Sequence, residues 1–332
     1  MYSRTKQAEW LAKADQAERR ALELDDTGTD VHIQLGRILR TTGQTDQAIQ
    51  ELQIALQRDP NNLPALLQIA LAYEDARRTP EAEGVYRQMI RLRPSYAPAY
   101  TDLGILYWSV GQYERAEEPL GVAVKLEPES ENAHTNLATL YYSQEKLKEA
   151  EQEFTRSIQL KPTAAAYTNR CGVEFALDKM ASAERDCRKS VELDAENAQA
   201  WGNLADAMME LPGRQSEARA TYERALDVGQ KSLGINPNNP SLLSSMALYA
   251  SKTGQGRSAM EYADMSMAQG SGLVNVLYKA GKAIGLAGDC LRGMDLIRQA
   301  LEKGFPKGQA RRDKDLKRLR AAPHECRVPT IL

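Results

Sequence analysis

Hydrophobic residues recur along the chain with a helical spacing, and the same arrangement returns every 34 residues between positions 29 and 164. Each of these four units has an aliphatic residue beside a glycine or alanine: Leu35-Gly36, Ile69-Ala70, Leu103-Gly104 and Leu137-Ala138. Three residues further on, each unit has a larger apolar residue, namely Leu39, Tyr73, Tyr107 or Tyr141. Apolar positions three to four residues apart share one face of a helix, so the pattern predicts one amphipathic helix at the start of each unit.

A second set of fixed positions follows in each unit. It consists of an alanine, a large apolar residue four positions later and a proline at the end: Ala48, Ala82, Ala116 and Ala150; Leu52, Tyr86, Leu120 and Phe154; Pro60, Pro94, Pro128 and Pro162. Small residues let two helices approach closely, and proline ends a helix because it cannot extend one. The sequence therefore predicts two paired helices in each unit. One pair cannot bury its apolar face alone, so successive pairs must stack.

Beyond position 164 the same pattern continues with less regular spacing. The unit that begins near Trp201 has a second helix that runs about two turns too long before it reaches Pro237. Residues 6–25 have the spacing of a second helix without its first. The predicted organisation is an N-terminal half-repeat, four regular units, two irregular units, two degenerate units and a basic cap and tail, at 1–28, 29–164, 165–239, 240–306 and 307–332.

The repeat length and the residues at these positions resemble the tetratricopeptide repeat (TPR) family. The resemblance implies an all-α fold, an α-solenoid or superhelix of about eight helical hairpins with a half-repeat before it and a short cap after it. The last segment, Asp313-Lys-Asp-Leu-Lys-Arg-Leu-Arg-Ala-Ala-Pro323, resembles the cap of arrays attached to bacterial serine/threonine kinases and related signalling proteins. Kinase motifs themselves are absent from the sequence.

In this family the first helices line a groove that holds a peptide or helix of another protein. Matching the groove positions to this sequence gives an apolar patch in repeats 2 to 4, together with flanking residues: Ile33, Leu67, Leu71, Ile105, Trp108, Thr139 and Tyr142. Clustered exposed apolar residues usually mark an interaction site. The alternative for Trp108 is that it only packs against the next hairpin.

A row of polar residues runs beside the patch at the neighbouring repeat position. It includes Gln68, Asp102, Asn136 and Asn203. Amide side chains carry a donor and an acceptor, so such a row can pair with the backbone of an extended peptide. The alternative is that these side chains only satisfy backbone groups of their own repeats.

Composition changes this picture little. The 332 residues carry a net charge of −2 with 27% charged residues, so the whole molecule has no field that would attract nucleic acid or a membrane. No uncharged apolar run approaches the length of a membrane span. The four cysteines have no CxxC spacing, which favours neither a zinc site nor a disulfide framework and fits a reducing, cytoplasmic location. Cys171 and Cys187 are expected to be buried thiols.

No residue pattern supports catalysis. His32 and His134 occupy packing positions, and no phosphate loop, metal-ligand spacing or nucleophile motif is present. We therefore expect no enzyme activity, metal, cofactor or small-molecule substrate. The first hypothesis is a protein-interaction scaffold. A regulatory or substrate-selecting module of a larger bacterial signalling enzyme is the alternative.

The segment 303–320 holds eight basic and two acidic residues. Nucleic-acid binding there is a weaker alternative to a capping helix, because Leu316 and Leu319 are suited to docking a short cap. Self-association through the uncapped N-terminal half-repeat is a further expectation.

Overall fold

The computed structural model describes residues 28–321, which contain eighteen α-helices and no strand. They form two compact units, one ending at Gln144 and the other beginning at Glu145. The helices of the first unit are α1 (Thr29–Thr41), α2 (Thr45–Arg58), α3 (Leu63–Asp75), α4 (Thr79–Leu92), α5 (Ala97–Ser109), α6 (Tyr113–Leu126) and α7 (Glu131–Ser143). The predicted half-repeat helix at 6–25 lies outside the residues described.

The second unit begins with α8 (Leu147–Leu160), the second helix of the fourth repeat. Its other helices are α9 (Ala164–Ala176), α10 (Met180–Leu193), α11 (Ala198–Met209), α12 (Gln215–Ile235), α13 (Pro240–Lys252), α14 (Gly256–Gly270), α15 (Val274–Leu286), α16 (Cys290–Glu302), α17 (Lys307–Arg312) and α18 (Lys314–Ala321). Consecutive helices pair in both units. The predicted all-α fold of helical hairpins is therefore confirmed.

Local sequence signals set where the helices begin and turn. Several first helices start after a side chain that accepts a hydrogen bond from the backbone N–H three residues on, as Asn62 does from Ala65 at 3.1 Å. Inside the hairpins, the turn needs one residue at positive φ, and Gly111 supplies it in the third repeat with φ 76°. Arg77 occupies the same turn position of the second repeat with φ 58°, a conformation that disfavours a side chain.

Small residues hold the paired helices together, as their pattern predicts. A Cβ atom added to Gly104 would lie 2.5 Å from Cγ of Leu120, and the same distance separates a Cβ at Gly36 from Cγ of Leu52. Such close approach leaves no room for a side chain, so the leucine of the second helix fills the space above the glycine. The core of the first unit is built from these contacts.

The sixth repeat shows the predicted lengthening, because α12 runs for 21 residues where most second helices have about 14. Its neighbour corrects the expectation for the cysteines. Cys171 on α9 and Cys187 on α10 lie with their Cα atoms 5.5 Å apart and form a disulfide, so the prediction of two free buried thiols is wrong. The sequence pattern places the two cysteines on paired helices, but it does not show whether their side chains face each other closely enough to form a bond.

Residues 305–319 pack onto the preceding helices of the second unit. Leu316 and Leu319 of α18 are buried, and α18 contacts α15. This confirms that the two leucines dock a short cap. No helix among residues 28–321 is long and apolar enough to cross a bilayer.

Candidate functional site

Apolar side chains of three first helices of the first unit are partly accessible to solvent. Ile105 and Trp108 of α5 are 36% and 38% exposed. Leu67 and Leu71 of α3 are half-buried, as is Tyr142 of α7, and Leu67 packs against the core of the unit. We call this surface of α3, α5 and α7 the first-helix face. Its partly exposed apolar residues can each bury further area against a ligand.

Trp108 is fixed in place without being covered. Its Nε1 donates a hydrogen bond to Oγ of Ser143 on α7 at 2.8 Å. The Ser143 hydroxyl in turn donates to the backbone oxygen of Thr139 at 2.9 Å. The indole therefore joins two first helices while more than a third of its surface stays exposed. Trp108 thus packs against the next hairpin and still offers surface to a ligand. Thr139 itself donates to the backbone oxygen of Thr135, so its hydroxyl hydrogen is already used.

Polar groups on α1, α3 and α5 interact with one another, and several are incompletely satisfied. Oε1 of Gln68 and Nε of Arg40 are buried without a hydrogen-bond partner in the described structure. Burial, reinforced by the charge of Glu74, raises the pKa of Asp102 to about 6. Burial also raises the pKa of Glu74, which accepts a hydrogen bond from the hydroxyl of Tyr86. One buried acceptor on α3 and one buried donor on α1 are therefore unpaired, and two carboxyls on α3 and α5 have raised pKa values.

The remaining predicted residues are dispersed. Ile33 is 4% exposed and packs with Ala55 and Ala65 in the seam between the first two repeats, so its side chain is not available to a ligand. Asn136 is half-buried on α7. Asn203 is half-buried on α11 of the second unit.

Arg40, Glu74 and Tyr86 were not among the predicted site residues. Arg40 donates to Oδ2 of Asp75 at 3.0 Å, so it connects α1 with the end of α3. The sequence held a signal for them. Arg40 and Glu74 are charged residues at equivalent positions of consecutive first helices, and Tyr86 stands where the neighbouring second helices have Leu52 and Leu120. A hydroxyl at that core position needs a polar partner.

The chemistry of the face suits binding. It offers partly exposed apolar surface, carboxylates, an amide and a guanidinium, without a nucleophile beside a base. His32 and His134 are buried, with ring nitrogens 2.7 Å from Oε2 of Glu51 and 3.1 Å from the backbone oxygen of Pro128, respectively. No group of three metal-ligating side chains comes together within residues 28–321.

Comparison with known proteins agrees with the repeat geometry. The family described as tetratricopeptide repeat matches residues 33–97 and 101–165. The chain is similar to a solved structure described as the APC/C hetero-tetramer Cut9-Hcn1, with a TM-score of 0.56, 16% identity and coverage of 88% of this chain and 52% of that one. It therefore spans about half the length of that relative.

A second similar structure is a tetratricopeptide repeat protein from Parabacteroides merdae, with a TM-score of 0.53, 17% identity and coverage of 76% of this chain and 97% of that one. Likeness at such identities shows the fold alone. Comparison with curated protein sequences gives no match. Residues 33–97 and 101–165 therefore match the tetratricopeptide repeat family, and the paired helices continue the same arrangement beyond them in the part of the chain that the structure describes.

Proposed function

We propose that the chain is a non-catalytic scaffold that holds a peptide segment of a partner protein on the first-helix face of its first unit. A tetratricopeptide repeat fold is a scaffold for protein–protein interaction. The observation that carries the finer proposal is the placement of unpaired buried polar atoms beside exposed apolar residues. Gln68, whose Oε1 has no partner, lies on the same helix as Leu71, and Asp102, whose pKa is raised by burial, lies on the same helix as Trp108.

Unpaired buried groups favour a ligand for an energetic reason. Leaving a buried donor or acceptor without a partner costs about 1–3 kcal/mol. Oε1 of Gln68 and Nε of Arg40 both have this deficit in the free chain. An extended peptide brings one N–H donor and one carbonyl acceptor per residue, and it can supply both missing partners at once. The apolar patch provides the anchoring area that hydrogen bonds alone do not.

The same groups define the chemistry of the ligand. Ile105, Trp108 and Leu71 favour an apolar or aromatic anchor side chain. Burial raises the pKa of Asp102, and the charge of Glu74 adds to this, so an N–H group or a cationic side chain next to Asp102 would stabilise its ionised form. We expect the preferred peptide to contain an apolar or aromatic residue followed or preceded by a basic one.

A peptide-library selection on the purified chain tests this proposal. The wild type should enrich peptides that share the anchor and the basic residue. A Leu71→Asp, Trp108→Ala double variant should lose them, because it places a charge in the patch and removes the ring that presents the largest area. Affinity for individual selected peptides should fall by more than about tenfold, the ratio that corresponds to 1.4 kcal/mol.

A matched control makes the same type of change elsewhere. Leu126→Asp with Leu92→Ala alters two exposed leucines on the second helices α6 and α4, and it should leave the selection unchanged. Enrichment of the same peptides by wild type and by the Leu71, Trp108 variant would refute the site. Failure of the wild type to enrich any peptide would refute the function.

The other hypotheses stay predictions. A module of a larger signalling enzyme, nucleic-acid contact through 303–320 and self-association through the N-terminal half-repeat each need their own test. The cysteines no longer support a cytoplasmic location, because Cys171 and Cys187 form a disulfide and disulfides are rare in reducing compartments.

A further inference from the structure

The C-terminal segment, residues 305–319, lies across the first helices of the second unit instead of covering only its last hairpin. Phe305 stacks on Tyr278 of α15 with ring centroids 3.8 Å apart. Further along, Arg318 donates to Oε1 of Glu210, which follows α11, at 2.5 Å, and Lys314 donates to Oδ1 of Asp178, which follows α9, at 2.7 Å. The segment therefore spans four consecutive repeats, as a bound peptide would.

Two aspartates of this segment are held by buried lysines. Asp313 accepts through Oδ2 from the hydroxyl of Tyr278 at 3.0 Å and from Nζ of Lys282 at 2.8 Å. Asp315 lies 2.9 Å from Nζ of Lys252 and 3.2 Å from Nζ of Lys282. Flanking charges of Lys252 and Lys282 hold the pKa of Asp315 well below its usual range, against the opposing effect of burial. The lysines thus bind the carboxylate of Asp315 in its ionised form.

Asp313 has a second role that fixes the conformation of the segment. Its Oδ1 accepts from the backbone N–H groups of Asp315 and Leu316 at 2.9 and 3.2 Å. This caps the start of α18. Leu316 and Leu319 are then presented on the inner side of the helix and are buried, with a methyl of Leu319 3.2 Å from the position of a Cβ on Gly285. The recognised element is an Asp-x-Asp-Leu sequence at the start of a helix.

Ion pairs of this kind favour selectivity over stability. Bringing charges into a buried site costs desolvation that their attraction repays only with good geometry, so buried pairs contribute little net stability but specify register and partner. A segment whose only function was to cover the apolar end of α15 and α16 would be expected to use apolar contacts. Here the buried charges select for two carboxylates at a fixed spacing.

One cation on the same surface is left without an anion. Lys279 lies three residues before Lys282 on α15, and its Nζ donates to Oγ of Ser245 at 2.9 Å. Within residues 28–321 no carboxylate lies within ion-pair distance of Lys279. Burial and the neighbouring charge of Lys282 lower the pKa of Lys279 to about 8. The segment of the chain itself therefore does not use all of the positive charge that the surface offers.

We propose that the first helices of the second unit form a binding site for helical segments of partner proteins that begin with Asp-x-Asp-Leu, and that residues 305–319 occupy this site as an internal competitor. A partner that brings an additional carboxylate to Lys279 binds more tightly than the internal segment. The proposal does not depend on the first-helix face of the first unit, since the two sites share no residue.

Fluorescence anisotropy with a labelled synthetic peptide of residues 305–321 tests this on the full chain. A Lys314→Ala, Arg318→Ala variant loosens the internal segment by removing its pairs with Asp178 and Glu210, while leaving the buried lysines intact. Because occupation by the internal segment lowers the fraction of open sites, the labelled peptide should bind this variant at least about tenfold more tightly than the wild type. Leu319→Ala, which loosens the segment without changing charge, should act in the same direction.

Changes to the peptide provide controls that cannot disturb folding. A peptide with asparagine in place of both aspartates should not bind the loosened variant. In a series with one glutamate moved along the peptide, at least one member should bind more tightly than the parent, and Lys279→Met should remove that gain. Unchanged binding by a loosened variant that keeps its helical circular dichroism would overturn the proposal. Equal binding of the asparagine peptide would do the same.

Discussion

Replacing Asp102 by asparagine should make the free chain more stable at neutral pH. The carboxyl lies on α5, half-buried and close enough to Glu74 for that charge to oppose its ionisation. Its pKa is raised from 3.8 to about 6. At about 1.36 kcal/mol per pH unit, this difference corresponds to about 3 kcal/mol of destabilisation at pH 7, which is an upper value because the site is partly solvated. We expect Asp102→Asn to add about 1–3 kcal/mol to the free energy of unfolding at pH 7.

The pH dependence distinguishes this cause from a change in packing. Below pH 3.8 the carboxyl is protonated in both the folded and the unfolded chain, so the penalty is absent. Between pH 3.8 and about 6 the folded chain binds a proton that the unfolded chain does not, and the wild type loses stability as the pH rises. Above about pH 6 the penalty is complete. The advantage of the variant should therefore grow from pH 4.5 to pH 6.5 and then become constant.

Guanidinium denaturation followed by circular dichroism at pH 4.5, 5.5, 6.5 and 7.5 measures this advantage. Asp46→Asn is a matched control, because Asp46 is an exposed aspartate in the first turn of α2, and exposed substitutions change stability by about 0.5 kcal/mol or less. An advantage of Asp102→Asn that is the same at every pH, or a variant that is less stable at pH 7.5, would refute the reasoning.

Three further changes test the fold. Arg77→Gly should raise the denaturation midpoint by the equivalent of about 0.5–1 kcal/mol, since it relieves a side chain at φ 58°; a lower midpoint would contradict this. Gly104→Ala should lower stability by about 1–3 kcal/mol, because the new methyl group meets Leu120 at 2.5 Å; equal stability would show that the helices can separate freely. Reduction of the Cys171–Cys187 disulfide, which links residues 16 apart, should lower the thermal midpoint by the equivalent of up to about 3 kcal/mol. A Cys187→Ser variant, which lacks this bond, should lose less of its thermal midpoint on reduction than the wild type does.

The hairpins could be predicted from sequence because their determinants are local and repeated. Gly104 and Leu120 are recognisable as partners because the same spacing occurs in every regular unit. The helix cap at Asn62 involves only the next three residues, so the local sequence is enough to predict it. The Cys171–Cys187 bond and the Arg318–Glu210 pair were not predictable in the same way. The second joins residues 108 positions apart, and no repeat position specifies where a C-terminal segment will lie.

The candidate site was partly predictable for the same reason. Repeat positions identified Trp108, Leu71 and Asp102 as neighbours on successive first helices. They could not show that Ile33 is covered, because its burial depends on Ala55 and Ala65 at the particular junction of the first two repeats. Nor could they show which polar atoms stay unpaired, since that depends on individual side-chain distances.

The most direct test of the account is to locate a selected peptide on the surface of the chain. A photo-cross-linking amino acid can be placed at Ile105, which is exposed on the first-helix face, and separately at Lys125, which is exposed on the second helix α6. Each purified variant is then irradiated with a peptide that the wild type enriched. We predict an efficient cross-link from position 105 and none from position 125, whereas a cross-link from position 125 alone would contradict the proposed site.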